Sequence, residues 1–409
     1  MKALLSLMLS GAVAMTTAAS APAIAAVSWT PGNSTATGDQ DNVAIAANRS
    51  GHVAIVWEDD RDTTAPADNV HSDIWVRLFK DGTSVYEKKL SAGGTSGVNW
   101  KHIQPDVALD DKGNAVVVWA DDPDGNGFYN IPVRVLGPTG TVLHSVQANT
   151  DSAGQQSQPS VSADPDGVPS APSTVSYAVT WEDQQGTAQP TVRAAAFKNA
   201  TRTYEKQVHA TGGTHKRPDV AVSASGEAVV VWDEDGDANG FYNVGLVRFN
   251  AAGTVTLPKT IANANGGGQQ WAASVAASFN GDFAVTWESE SQVVWRGFTA
   301  TGAPLHGDVA ASTVAPATAP SIGLDDQGNT VVVWTQAGVD TWAHGFASDG
   351  TDAGRLAAQQ LSQVTAGLQT GIAAAVSPWG EVSVGYTDDN DGNQFDQIIL
   401  GLGLTNSSW

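Results

Sequence analysis

Asp106-Val-Ala-Leu-Asp110, Asp111-Lys-Gly-Asn114 and Ala115-Val-Val-Val-Trp119 follow one another without a break, and the order of their patterns decides the fold. The first alternates, as a half-covered strand does; the second is a turn; the third is a continuous β-branched run suited to a strand buried on both faces. Working outward, Asn130-Ile-Pro-Val-Arg-Val135 alternates again, Gly137-Pro-Thr-Gly140 turns, and Thr141-Val-Leu-His-Ser-Val146 closes a unit of four antiparallel strands. No helical period interrupts it.

The unit recurs through the chain. A glycine, a short β-branched run and an aromatic residue stand six positions apart at Gly51 and Trp57, Gly113 and Trp119, Gly226 and Trp232, Gly281 and Trp287, Gly328 and Trp334, and Gly380 and Tyr386. A seventh copy, Gly167 to Trp181, carries an eight-residue insertion with Pro169 and Pro172. From Trp57 to Tyr386 the six intervals cover 329 residues, a mean of about 55. Four-stranded units repeating at that period predict an all-β, seven-bladed β-propeller. The glycines serve first hairpins that need positive φ, and the repeated tryptophans read as wedges between blades. The last unit supplies only three strands, ending in Phe395 to Leu404, while Ala26-Val-Ser-Trp-Thr30 reads as a fourth. The N-terminal strand is therefore expected to complete the seventh blade, which removes a free sheet edge.

Composition sets outer limits. The 409 residues hold 42 Asp and Glu against 20 Lys and Arg, a formal charge of −22, with no cysteine. Nucleic acid and anionic membranes would be repelled by such a surface. Residues 1–25, with Lys2, an apolar run from Ala3 to Met15 and Ala23-Ile24-Ala25, read as a signal peptide; residues 26–409 read as one secreted domain. A core of this size stands without disulfides.

The loops between second and third strands concentrate negative charge on one face: Asp59 and Asp60, Asp121, Asp233, and Asp388, Asp389 and Asp391. Two of them, Asp122-Pro-Asp124-Gly-Asn126-Gly127 and Asp235-Gly-Asp237-Ala-Asn239-Gly240, match the first half of a calcium loop, with Asp122, Asp124, Asn126, Asp235, Asp237 and Asn239 as ligands. The acidic twelfth ligand is missing, Val133 and Leu246 standing there. The alternative is that Asp, Asn and Gly simply form turns. Both loops continue into Gly-Phe-Tyr-Asn, so Tyr129 and Tyr242 are candidate partner contacts.

Catalytic motifs are not found: there is no Gly-x-Ser-x-Gly and no His-Glu-x-x-His, and the eight histidines are scattered. Glu58, Glu182 and Glu288 each follow a blade tryptophan; a rim carboxylate pair for glycoside chemistry is one reading, a repeat-derived structural role the other. The expectation from these residues is a binding protein rather than an enzyme, with a basic protein partner, no required cofactor, and calcium as the candidate ion. A carbohydrate-binding propeller and a glycoside-active propeller enzyme are the alternatives.

The Gly-to-Trp blade spacing, the Trp-x-Asp-Asp loops and the acidic, cysteine-free composition resemble the dispase autolysis-inducing proteins of streptomycetes. That resemblance implies a secreted, non-enzymatic β-propeller that provokes self-digestion of thermolysin-like neutral metalloproteases and is cross-linked by transglutaminase through glutamines; a monomer is expected. Loop glutamines that fit the last role are Gln155, Gln156, Gln158, Gln184, Gln185, Gln269 and Gln270.

Overall fold

The computed structural model describes residues 28–61, 71–93, 100–167, 173–185, 189–209, 212–352, 356–362, 367–389 and 396–403. The proposed signal segment and Asp391 lie outside them. All regular structure among the described residues is strand, in seven four-stranded antiparallel sheets. Blades 1 to 6 run Gln40–Lys89, Lys101–Gln147, Gln155–Gln207, Thr214–Ile261, Gln270–Ala310 and Ala317–Gln360 in consecutive strand order. The first strands touch their neighbours in a closed ring around the axis, blade 7 meeting blade 1.

Blade 7 takes three strands from the C-terminal end of the chain (Gln369–Val376, Val382–Asp388, Gln397–Leu402) and its outermost from Ser28–Pro31. Ser28 faces Leu402 and Pro31 faces Ile399, so the ring is closed by a strand pair between the two ends of the domain.

The seven repeated aromatics, Trp57, Trp119, Trp181, Trp232, Trp287, Trp334 and Tyr386, are each at most 2% exposed. They fill the clusters between adjacent blades: Trp119 of blade 2 packs with Val56 and Ile74 of blade 1, and Trp181 of blade 3 with Val118 and Val133 of blade 2. Burying aromatic area at every junction is the chief term holding neighbouring blades together. The hairpin glycines are left-handed as the turns require; at Gly113, φ is 82° and a Cβ would press on the His52 ring of blade 1.

The inner strands differ from the sequence reading in one respect. In blade 2 the strand spans Lys101–Leu109, beginning before Pro105 rather than at Asp106. A bulge carries it past the proline, with Gln104 at φ 56°. Equivalent left-handed residues are Asn42, Gln158, Arg217, Ala272, Ala319 and Gly371. The edge of each inner strand faces the axis and is unpaired, so a proline there forfeits no ladder hydrogen bond.

Candidate functional site

The bulges place one residue from each blade around one mouth of the axial channel, the end from which the second-to-third-strand loops also rise. This ring engages the side chain next after each blade tryptophan. Glu58 accepts a hydrogen bond from the Gln104 backbone N–H at 2.6 Å, Glu182 from that of Arg217 at 2.7 Å, and Glu288 from that of Ala319 at 2.8 Å. Asp233 takes the same position toward the backbone of Ala272 and also pairs with Arg217. In blade 2 the position is Ala120, and the Gln104 side-chain oxygen substitutes, accepting from Gln158 N–H at 2.9 Å. These carboxylates join blades 1, 3, 4 and 5 each to the bulge of the next. Burial pushes Glu58 and Glu182 above the usual carboxylate range, and Asp233 up to about 7.

One residue further on, a second set is equally internal. The Trp57 indole donates to Asp59 at 2.8 Å, Trp119 to Asp121 at 2.9 Å and Trp232 to Glu234 at 2.6 Å. Asp59 also holds the Arg61 guanidinium with two bonds, and that group lies 3.9 Å from the Trp75 ring centre. Asp121 meets His102; Asp388, 5% exposed, accepts from Gln369. Asp60 is buried and accepts from Asp39 N–H. Thus Asp59, Asp60, Asp233 and Asp388 are turned into the blades instead of toward a partner; Asp121 and Asp389 keep partial exposure.

The two calcium-like loops close on themselves. Asp122 accepts from the backbone N–H groups of Asn126 and Gly127, Asp124 from the Asn126 amide, and Asn126 from Phe128 N–H. Asp235, Asp237 and Asn239 repeat every one of these bonds. The oxygens that would wrap a cation also accept from loop N–H groups, the arrangement of turn-forming Asx residues, while each carboxylate keeps further lone pairs. Tyr129 and Tyr242 are half-buried, while Phe128 and Phe241 beside them stand 53% exposed.

Of the loop glutamines, Gln156 and Gln270 are buried on inner strands, Gln156 bonding Asn149 and Asp183 and Gln270 receiving the Trp287 indole N–H. Gln269 is tied to Tyr242 and Gly240. Gln155 and Gln185 are partly exposed, and Gln158 and Gln184 are open to solvent.

Two features escaped the sequence reading. At the junction of blades 7 and 1, Asp39, Asp41 and Asp396 each bring a carboxylate oxygen within 4.8 Å of the others. Burial and mutual repulsion push Asp41 up to about 7 and Asp396 to about 6. The second lies within the channel, a cavity of about 620 Å³ lined by all seven inner strands. Two positions beyond the bulges of blades 2 and 4 stand Asp106 and Asp219, each partly open to it. The Ser160 hydroxyl donates to Asp219 at 2.5 Å and lies within reach of Asp106 as well. Asp106 also accepts from Val161 N–H and Asp219 from Val275 N–H, which fixes both carboxyl planes. Burial, then the charge of Asp219, pushes Asp106 up to about 7; burial raises Asp219 too. A hydroxyl has one proton to give, so Ser160 serves one of the two carboxyl groups at a time. Only spatial closure brings these residues, more than fifty positions apart, to one wall.

No protein-family model matches the chain, and no curated protein does. Among solved structures, a protein of unknown function from Dyadobacter fermentans is similar at 11% identity and a TM-score of 0.53, covering 93% of this chain and 98% of that one. The NanB sialidase of Streptococcus pneumoniae matches at 10% identity over 92% of this chain and 70% of that one, TM-score 0.46. The α-L-arabinofuranosidase Arb93A of Fusarium graminearum matches at 11% over 90% and 93%, TM-score 0.48. At these identities the likeness is one of fold. The expectation of a non-enzymatic protein is corrected to this extent: it rested on motifs missing from the sequence, and missing motifs do not exclude an enzyme.

Proposed function

We propose that this chain is an exported, glycoside-active propeller whose substrate site is the axial channel. The observation that supports it is the Asp106–Ser160–Asp219 array on the wall of a cavity of about 620 Å³, a size that suits small ligands. Carboxyl groups sharing one hydroxyl lie at most about 5–6 Å apart, the spacing of a retaining glycosidase pair. Asp106, pushed up to about 7, supplies the proton to the leaving oxygen; Asp219, oriented by Ser160 and the Val275 N–H, faces the positive charge that develops on the sugar. The net charge of −22 disfavours anionic sugars and favours a neutral glycan.

The test is a screen of aryl glycosides of neutral sugars with the full-length protein, repeated with Asp106→Asn and Asp219→Asn. Turnover in the parent, lost by about 10²-fold or more in each variant, is the expected result. The parent's kcat/KM should fall as pH rises through about 7, where Asp106 gives up its proton. No turnover of any glycoside, or variants as active as the parent, overturns the reading.

A protein-directed role for the same face is the second reading, favoured by the exposed aromatic pair Phe128 and Phe241. Incubation with a thermolysin-like protease in excess calcium tests it: self-fragmentation that Phe128→Ser with Phe241→Ser abolishes supports it, and an unaffected protease removes it.

A further inference from the structure

The channel has a second mouth, at the end carrying the hairpins between first and second strands, and there one side chain crosses the axis. Arg49 belongs to the first hairpin of blade 1. Its guanidinium pairs with Asp111 of blade 2 at 3.7 Å and with Asp326 of blade 6. The same group lies 4.4 Å from the ring centre of Phe279 in blade 5 and 5.6 Å from that of Trp379 in blade 7. A side chain rooted in one blade that touches the blade across the ring occupies the middle of the opening.

Its surroundings are knitted to one another. Arg49 N–H donates to Asp111, Asp111 N–H to the Pro165 carbonyl, Phe279 N–H to Asp326, Asp326 N–H to the Pro378 carbonyl, and the Trp379 indole back to the Arg49 carbonyl. The guanidinium is thus held by two carboxylates and two aromatic faces, a seat whose ionic and cation–π terms reinforce each other. At the opposite mouth Arg217 turns back onto Asp233 of its own blade and the Trp271 ring of the next. Among the described residues, no side chain there makes an equivalent crossing.

We propose that Arg49 closes the channel at this end, leaving a blind pocket that opens at the acid-rich mouth and receives its ligand end-first, as the terminal unit of a neutral glycan and not an internal stretch. The second half of that statement rests on the glycoside reading above. A channel open at both ends would let a chain thread through; a plugged one admits only what can enter and leave by the same mouth, which makes Arg49 a specificity-determining residue that never touches the scissile bond.

Two measurements on the full-length protein separate the parts. The chain has no cysteine, so Ala277→Cys, on the cavity wall two residues before Phe279, reports access when treated with a small cationic methanethiosulfonate and with one bearing a bulky head group. Closure predicts fast labelling by the small reagent and slow labelling by the bulky one. That discrimination should shrink when Arg49→Ala is added, and also with Trp379→Ala, a milder change because the ring is 68% exposed. Bulky labelling that is no faster in either background overturns closure. The second measurement digests a ladder of neutral oligosaccharides labelled at one end: stepwise shortening supports end-first entry, and random internal fragments overturn it. If no oligosaccharide is shortened, the glycoside reading falls together with end-first entry of a glycan, while the labelling result still decides closure.

Discussion

Asp164 shows how a repeat exposes its own misfit. In each first hairpin the residue three before the turn glycine closes the loop; Asn48 and Asp164 make the same backbone bonds there, to His52 and Ser176. Asp164 is 4% exposed, and one of its carboxylate oxygens has no partner. Burial, then the shared proton and charge of Asp166, pushes it up to about 8. A carboxyl raised in the folded state lends stability below its unfolded value and withdraws it as pH rises through the folded one. The protein should therefore lose stability between about pH 4 and pH 8 through this group. Asp164→Asn, the residue blade 1 already uses, should raise the melting temperature at pH 8 by about 1–3 °C and leave it unchanged near pH 4; a gain equal at both values contradicts the assignment. Nothing in the local sequence marks Asp164, because its neighbour Asp166 repels it only after the hairpin closes and water is excluded.

The inner strand is the element on which most of the site depends. Four of its seven bulges stand beside a proline, Pro105, Pro159, Pro218 and Pro320, which the strand tolerates because its free edge faces the channel. Each bulge leaves a backbone N–H to be satisfied, and Glu182 does so for Arg217 at 2.7 Å. Removing the acceptor strands a polar group in a poorly hydrated junction, so Glu182→Ala should cost about 1–3 kcal/mol. Glu182→Gln keeps an oxygen in place and should cost much less, since burial already opposes the charge. Urea unfolding of the two variants checks this; equal losses would assign the effect to charge instead. The structural role of Glu58, Glu182 and Glu288 was legible as one of two readings, from their repeat position alone. Their actual partners, each in the following blade, were not.

At the scale of the whole molecule, closure is the term that unites the parts. Ser28–Pro31 covers the edge of Gln397–Leu402, and the Trp29 ring meets Tyr386 edge-on at 5.9 Å. Deleting the chain through Pro31 removes that cover and exposes a strand edge, a template for pairing with another molecule. The shortened protein should melt at lower temperature and elute as dimers or larger species, which size-exclusion chromatography with light scattering checks. A monomer of unchanged stability would show that the strand pair contributes little.

The sequence by itself determined the architecture: glycine, β-branched run and aromatic at a fixed spacing encode the hairpin, the buried strand and the wedge, and each is a local demand of backbone geometry and burial. It also determined the strand exchange between the ends, because three strands without a fourth leave an edge to be paired. Only the tertiary structure decided where the chemistry stands. Asp106, Ser160 and Asp219 come from three blades, and which N–H groups the Asp122 and Asp235 oxygens hold is set only in the folded loops. Proximity across the axis, burial and the direction of a hydrogen bond are properties of the closed ring, and a linear pattern that repeats in every blade carries no record of which copies meet.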